Sequence, residues 1–143
     1  MASIMHNYSG VFVVVGSLCL TITLVLAWCL VGVRSFSPVR KLFPNVPNLL
    51  KAHIDYLLMT GLLMVFYLLF SHFRLSVSPV ILVAMSVGSL MSPVGFLALA
   101  VKPDIRQQPA TPFGVLMAGS FTLTTIGYAG AAWYVAHAAV LAR

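Results

Sequence analysis

Acidic residues are nearly missing from this chain. Among 143 residues there are two, Asp55 and Asp104, and no glutamate. A mechanism built on paired carboxylates has almost nothing to work with, because Asp104 falls in a loop stretch. Charge of either sign is scarce: 7% of the residues are charged, against about 25% in a soluble domain. So few charges cannot cover a water-facing surface, which excludes an ordinary soluble fold. Cysteine is rare as well. Cys19 and Cys29 share one apolar run, which excludes a disulfide framework or a zinc knuckle and leaves two buried thiols. A Gly-rich phosphate loop, an HExxH pair and a nucleophile elbow are also absent. Any chemistry must then lean on a cofactor.

What is present is apolar: 61% of the chain is hydrophobic and mean hydropathy is +1.05. Four runs stand out, at about Tyr8 to Val33, Ala52 to Phe70, Val77 to Val101 and Pro112 to Leu141. Each is close to or above the ~20 residues that cross a bilayer as a helix. The first lacks a basic leading segment and is too long for a secretory signal. The expectation is an all-α integral membrane four-helix bundle, one domain over residues 1–143. The connections are short. SFSPVRKLFPNVPN carries Pro38, Pro44 and Pro47 and cannot be one continuous helix. SHFRLS is a tight second link, and KPDIRQQPATP is a third with Pro103, Pro109 and Pro112.

Net charge +6 would suit a nucleic-acid partner, but the basic residues gather in loops beside apolar runs. The positive-inside rule accounts for them, and no nucleic acid is expected. Arg34, Arg40, Lys41 and Lys51 border the first loop, and Lys102 and Arg106 the third. Arg74 and Arg143 lie on the other side. This bias puts the first and third loops in the cytoplasm and both termini outward, in an inner membrane.

Ionisable groups at membrane depth are costly and mark function by default. Asp55 is the one acidic residue within an apolar run. A helix start expected near Ala52 would place it at the positive end of the helix dipole, with Lys51 four residues earlier as a partner. His53 shares a helix face with Tyr56, Leu57 and Thr60, whereas Asp55 points elsewhere. The stripe of His53, Tyr56 and Thr60 has two readings. His53 either anchors a helix end at the interface or binds haem iron or a metal through a ring nitrogen. His6, His72 and His137 approach the opposite surface, which disfavours a bis-histidine haem. In the third run, Ser86, Gly88, Ser89 and Ser92 suit close packing and Pro93 suits a bend. In the fourth, Thr122, Thr124, Thr125 and Tyr128 can bond neighbours or line a cavity, and Gly127, Gly130 and Ala131 suit close contact.

Ala52-His53-Ile54-Asp55, heading the second of four membrane helices, resembles the small membrane isomerases: styrene oxide isomerase and hydroxylaminobenzene mutase. Those families place an Ala-His pair there, followed by Asn-Gly, and the mutase has an acidic residue two after the histidine. The Pro93-containing third helix and Ile126-Gly127-Tyr128 are compatible with them. The resemblance implies a haem b enzyme, His53 as axial ligand, Asp55 beside the cofactor, and a homo-oligomer, a trimer in styrene oxide isomerase. It implies a ferric Lewis acid that converts a small apolar epoxide, taken from the lipid, into an aldehyde, or a related rearrangement of an arylhydroxylamine. Tyr56 or Tyr128 is then the hydrogen-bond donor to the substrate oxygen. The chain departs from the family where the asparagine belongs: Met59 stands there, followed by Thr60 and Gly61. Thr60 or Tyr56 is left to take the place of the amide. Two other readings stand beside this one, a haem-binding or accessory subunit of a membrane complex and a small transporter.

Overall fold

In the computed structural model the backbone is described for residues 2–105 and 110–141, and side chains from residue 10 onward within those ranges. Arg106, Pro109 and Arg143, and the side chain of His6, lie outside the described residues. Six helices occur in order: α1 (Ala2–Ser35), α2 (Ser37–Leu42), α3 (Val46–His72), α4 (Pro79–Met91), α5 (Val94–Val101) and α6 (Pro112–Leu141). No strand occurs among the described residues. Four stretches are long and apolar enough to cross a membrane: Gly10–Ser35, Val46–His72, Pro79–Val101 and Pro112–Leu141. The protein is an all-α, multi-pass membrane bundle.

The second span begins earlier than its apolar run. α3 starts at Val46 because Asn45 caps it, its side chain accepting the Asn48 N–H at 3.2 Å. Pro47 sits in the first turn, where the missing N–H has no helical partner to lose. Proline thus opens this helix rather than excluding it. The first linker shortens to α2, a single basic turn carrying Arg40 and Lys41. The third span is broken where Pro93 lacks its N–H. α4 closes on the Ser92 N–H to Gly88 carbonyl bond at 2.9 Å, and α5 opens on Leu97 N–H to Pro93 at 3.1 Å.

The bundle is built from two close helix pairs, α1 with α3 and α4 with α6, with α4 and α5 packed across α3. Lipid tails are as apolar as leucine, so burial does not drive this assembly; close contact does. The third span is the most enclosed, with half of its apolar window buried. Its glycines explain this. A Cβ added at Gly88 would stand 2.8 Å from the Thr124 backbone, and one at Gly127 would stand 2.5 Å from the Met85 nitrogen. α4 and α6 therefore touch backbone to backbone. Outward faces are largely apolar, with Trp28 76% and Trp133 73% exposed. Water does not tolerate such a surface and lipid does.

The link after α3 has its own lock. Leu75 N–H bonds the Phe70 carbonyl at 2.9 Å and Arg74 N–H the Ser71 carbonyl at 3.3 Å, a Schellman closure. Arg74 occupies its left-handed position, with φ 49°. A side chain there costs about 1–2 kcal/mol relative to glycine. Arg74→Gly should raise the melting temperature in detergent by about 2–4 °C for roughly 1 kcal/mol, measured by circular dichroism.

Candidate functional site

His53 lies in the body of α3, and its ring is half-buried. Nδ1 stands 3.0 Å from the carbonyl oxygen of Thr23 on α1. A carbonyl only accepts, so Nδ1 carries the proton and donates. That bond fixes the ring and its tautomer, and Nε2 keeps its lone pair. Among the described residues Nε2 has no protein partner. A backbone carbonyl behind a histidine is the usual support for an imidazole that ligates iron or another metal at its other nitrogen.

Asp55 turns to a different helix. Its carboxylate has the Ser92 hydroxyl as hydrogen-bonding partner, at the break between α4 and α5. Two expectations for Asp55 fail. It stands well past the first turn of α3, beyond the reach of the helix dipole, because α3 begins at Val46. Lys51 is not its partner either, since Nζ lies over the Phe96 ring, 5.9 Å from the centroid. Nor does Asp55 support the His53 ring; the Thr23 carbonyl does. Ser92 is 1% exposed, so removing its acceptor strands a hydroxyl, at about 1–3 kcal/mol. Asp55→Asn keeps an acceptor and Asp55→Ala does not. Unfolding in detergent should rank the alanine variant below the asparagine variant by about 1–2 kcal/mol.

The expected hydroxyl stripe is real as burial but not as a set of free donors. Tyr56 is buried, and its hydroxyl donates to the Leu90 carbonyl at 3.1 Å, beside the Pro93 break. Thr60 donates to the Tyr56 carbonyl of its own helix at 2.9 Å. Both protons are therefore committed. Tyr128 makes no hydrogen bond to His53 among the described residues. Its ring packs on Phe66, with ring centroids 5.7 Å apart. The Tyr128 hydroxyl meets Ser89 Oγ at 2.8 Å. Thr122, Thr124 and Thr125 each bond back to a carbonyl of α6.

The polar groups that do converge lie on the inner face of α4 and at its break: Ser89 with Tyr128, Ser92 with Asp55, and Leu90 with Tyr56. Cys19 is fully buried on α1. Serine at helical spacing beside proline was the signal for this seam. Small size masked it, because the same residues serve close packing. Thr23 gave no signal, since its contribution to His53 is a backbone carbonyl.

Among the described residues no three His, Cys, Asp or Glu side chains gather as a metal site. One imidazole does not retain a free ion. It does suffice for haem, whose iron arrives with four nitrogens of its own. His72 and His137 are exposed near the far ends of α3 and α6, so a second imidazole at the depth of His53 is not supplied by them. The donor chemistry fits a single axial histidine. No family model matches the chain, and neither the curated proteins nor the solved structures give a match.

Proposed function

We propose that this chain is a haem b-dependent membrane isomerase with His53 as the axial ligand through Nε2. The observation that carries this is the bond from His53 Nδ1–H to the Thr23 carbonyl, which leaves Nε2 a fixed, unpartnered lone pair inside a membrane span. Ferric haem b supplies a Lewis-acidic iron that polarises an oxygen atom of a bound substrate. The substrate class is a small apolar epoxide, rearranged to an aldehyde, or an arylhydroxylamine. Such molecules partition into lipid, and the outward faces of the bundle carry many exposed apolar side chains.

The chain's own residues then have distinct parts. Thr23 holds the imidazole. Tyr56 ties α3 to the broken third span through Leu90 and acts as a positioning residue. Asp55 and Ser92 brace the same break. Arg34, Arg40, Lys41, Lys51 and Lys102 border one end of the bundle. We place that end in the cytoplasm by the positive-inside rule, with the termini outward in an inner membrane. A homo-oligomer uses the open face of α6, the least buried of the four spans.

The reading is tested by supplying haem during expression and incubating the purified protein with styrene oxide and with phenylhydroxylamine. Rearranged product, formed in proportion to bound haem, is the expected result. Haem-loaded protein that converts neither compound would reduce the reading to a haem-binding subunit without catalysis.

A further inference from the structure

Hydroxyl groups in these helices share one habit. Thr21, Thr23, Thr60, Ser120, Thr122, Thr124 and Thr125 each donate to the carbonyl four residues earlier. That is how a helix satisfies a hydroxyl in lipid without outside help. α4 breaks the habit. Ser89 reaches sideways to Tyr128 and Ser92 to Asp55. Ser86, one turn from Ser89, is 6% exposed and its Oγ has no partner at all. It is a buried side-chain polar atom left unsatisfied among the described residues.

Proton counting sharpens the anomaly. Ser89 and Tyr128 bring two hydroxyl protons to their contact and use one. The other is left to point outward. Ser86 contributes a further unused proton one turn away. Side chains three apart on a helix have Cβ atoms ≈ 5–6 Å apart, and here Ser86 Oγ makes no bond to Ser89. One oxygen between them, accepting a hydrogen bond of ~2.8 Å from each side, spans that gap. An oxygen has the two lone pairs this requires.

We infer that the bundle interior holds a bound oxygen atom between Ser86 and the Ser89–Tyr128 pair, accepting one hydrogen bond from each. The oxygen belongs either to a water molecule or to a small lipid-soluble ether, epoxide or ketone. This site is separate from His53. The Asn45 N–H to Ala100 carbonyl bond, 3.2 Å, holds the start of α3 level with the end of α5. Counted from that level at 1.5 Å per residue, Ser86 lies ~9 Å and Ser89 ~5 Å deeper along the bundle than His53. The inference does not depend on His53 binding any group.

The sign of one substitution decides it. If an oxygen is bound, Ser86→Ala removes a donor and loosens the bound molecule, and the melting temperature falls. If Ser86 is a dry, unpaired hydroxyl, Ser86→Ala removes a buried defect and the melting temperature rises, which overturns the proposal. Tyr128→Phe and the double variant give a second reading. Loss of one shared ligand makes the two substitutions clearly less than additive. Full additivity in the cycle contradicts a shared ligand. The source of the oxygen is separated with 1,2-epoxyhexane as the probe. A rise in melting temperature in wild type that Ser86→Ala abolishes assigns a lipid-borne ligand. No rise with the probe, together with the fall in Ser86→Ala, assigns water.

Discussion

Replacing Gly127 with valine prevents the bundle from forming its native α4–α6 contact. A Cβ at Gly127 falls 2.5 Å from the Met85 nitrogen and 2.9 Å from the Ala84 carbonyl carbon and the Met85 Cα. All three are backbone atoms, so no rotamer change relieves the clash. The helices must separate, and separation undoes the neighbouring approach at Gly88, where Thr124 backbone atoms stand 2.8 Å from an added Cβ. Overpacking a side chain that can move costs about 1–3 kcal/mol. A backbone collision at the α4–α6 crossing should cost at least about 3 kcal/mol. The expected readout is loss of monodisperse protein in gel filtration and an early transition in denaturant. Gly61 and Gly119 are the controls, since an added Cβ at either meets nothing within 4 Å. Alanine at these positions should be neutral or stabilise by up to about 1 kcal/mol through helix propensity. A Gly127→Val variant as stable as these controls would show that α4 and α6 do not pack as described.

His53→Ala carries the second large effect, on chemistry rather than on folding. The variant loses one hydrogen bond to α1, worth about 1 kcal/mol, because the Thr23 carbonyl remains in its helix. Folding should therefore survive. On the proposed haem reading, rearrangement of styrene oxide should fall by a factor of at least ~100, since His53 would be the residue that holds the Lewis-acidic iron. Imidazole added to the medium should restore part of the activity by entering the vacated space. His53→Gln should not, because an amide oxygen is a poor substitute for a ring nitrogen on iron. The contrast with Asp55→Asn is informative. Asp55 braces Ser92 and stands apart from the His53 ring support. Its amide variant should keep most of the activity that His53→Ala loses.

The four spans were legible in the sequence because bilayer thickness imposes a length on apolar runs that few other folds share. The break in the third span was legible from Pro93 alone. The divergence of His53 and Asp55 came from their separation by two residues, since helix neighbours are three or four apart. The start of α3 was not legible. Val46 to Lys51 is less apolar than the rest of the helix, and the cap by Asn45 with Pro47 in the first turn decides the boundary instead. That shift alone moved Asp55 out of the first turn. Side-chain partners were the least legible. Lys51 was expected to pair with Asp55 on its own helix, and the Phe96 ring on another helix takes it instead. Tyr56, Ser89 and Ser92 gain their meaning from residues more than thirty positions away, Leu90, Tyr128 and Asp55. Such pairings depend on the axial offset and rotation of two helices. Periodicity within one helix does not contain either quantity.

The measurement that meets the central claim most directly is the visible absorption spectrum of detergent-purified protein, expressed with haem supplied, beside His53→Ala prepared identically. The account predicts a Soret band in the wild type and its loss or shift in a variant that remains monodisperse and helical. A folded wild type without a Soret band, or a band that is identical in His53→Ala, would contradict it and return His53 to the role of an interfacial anchor.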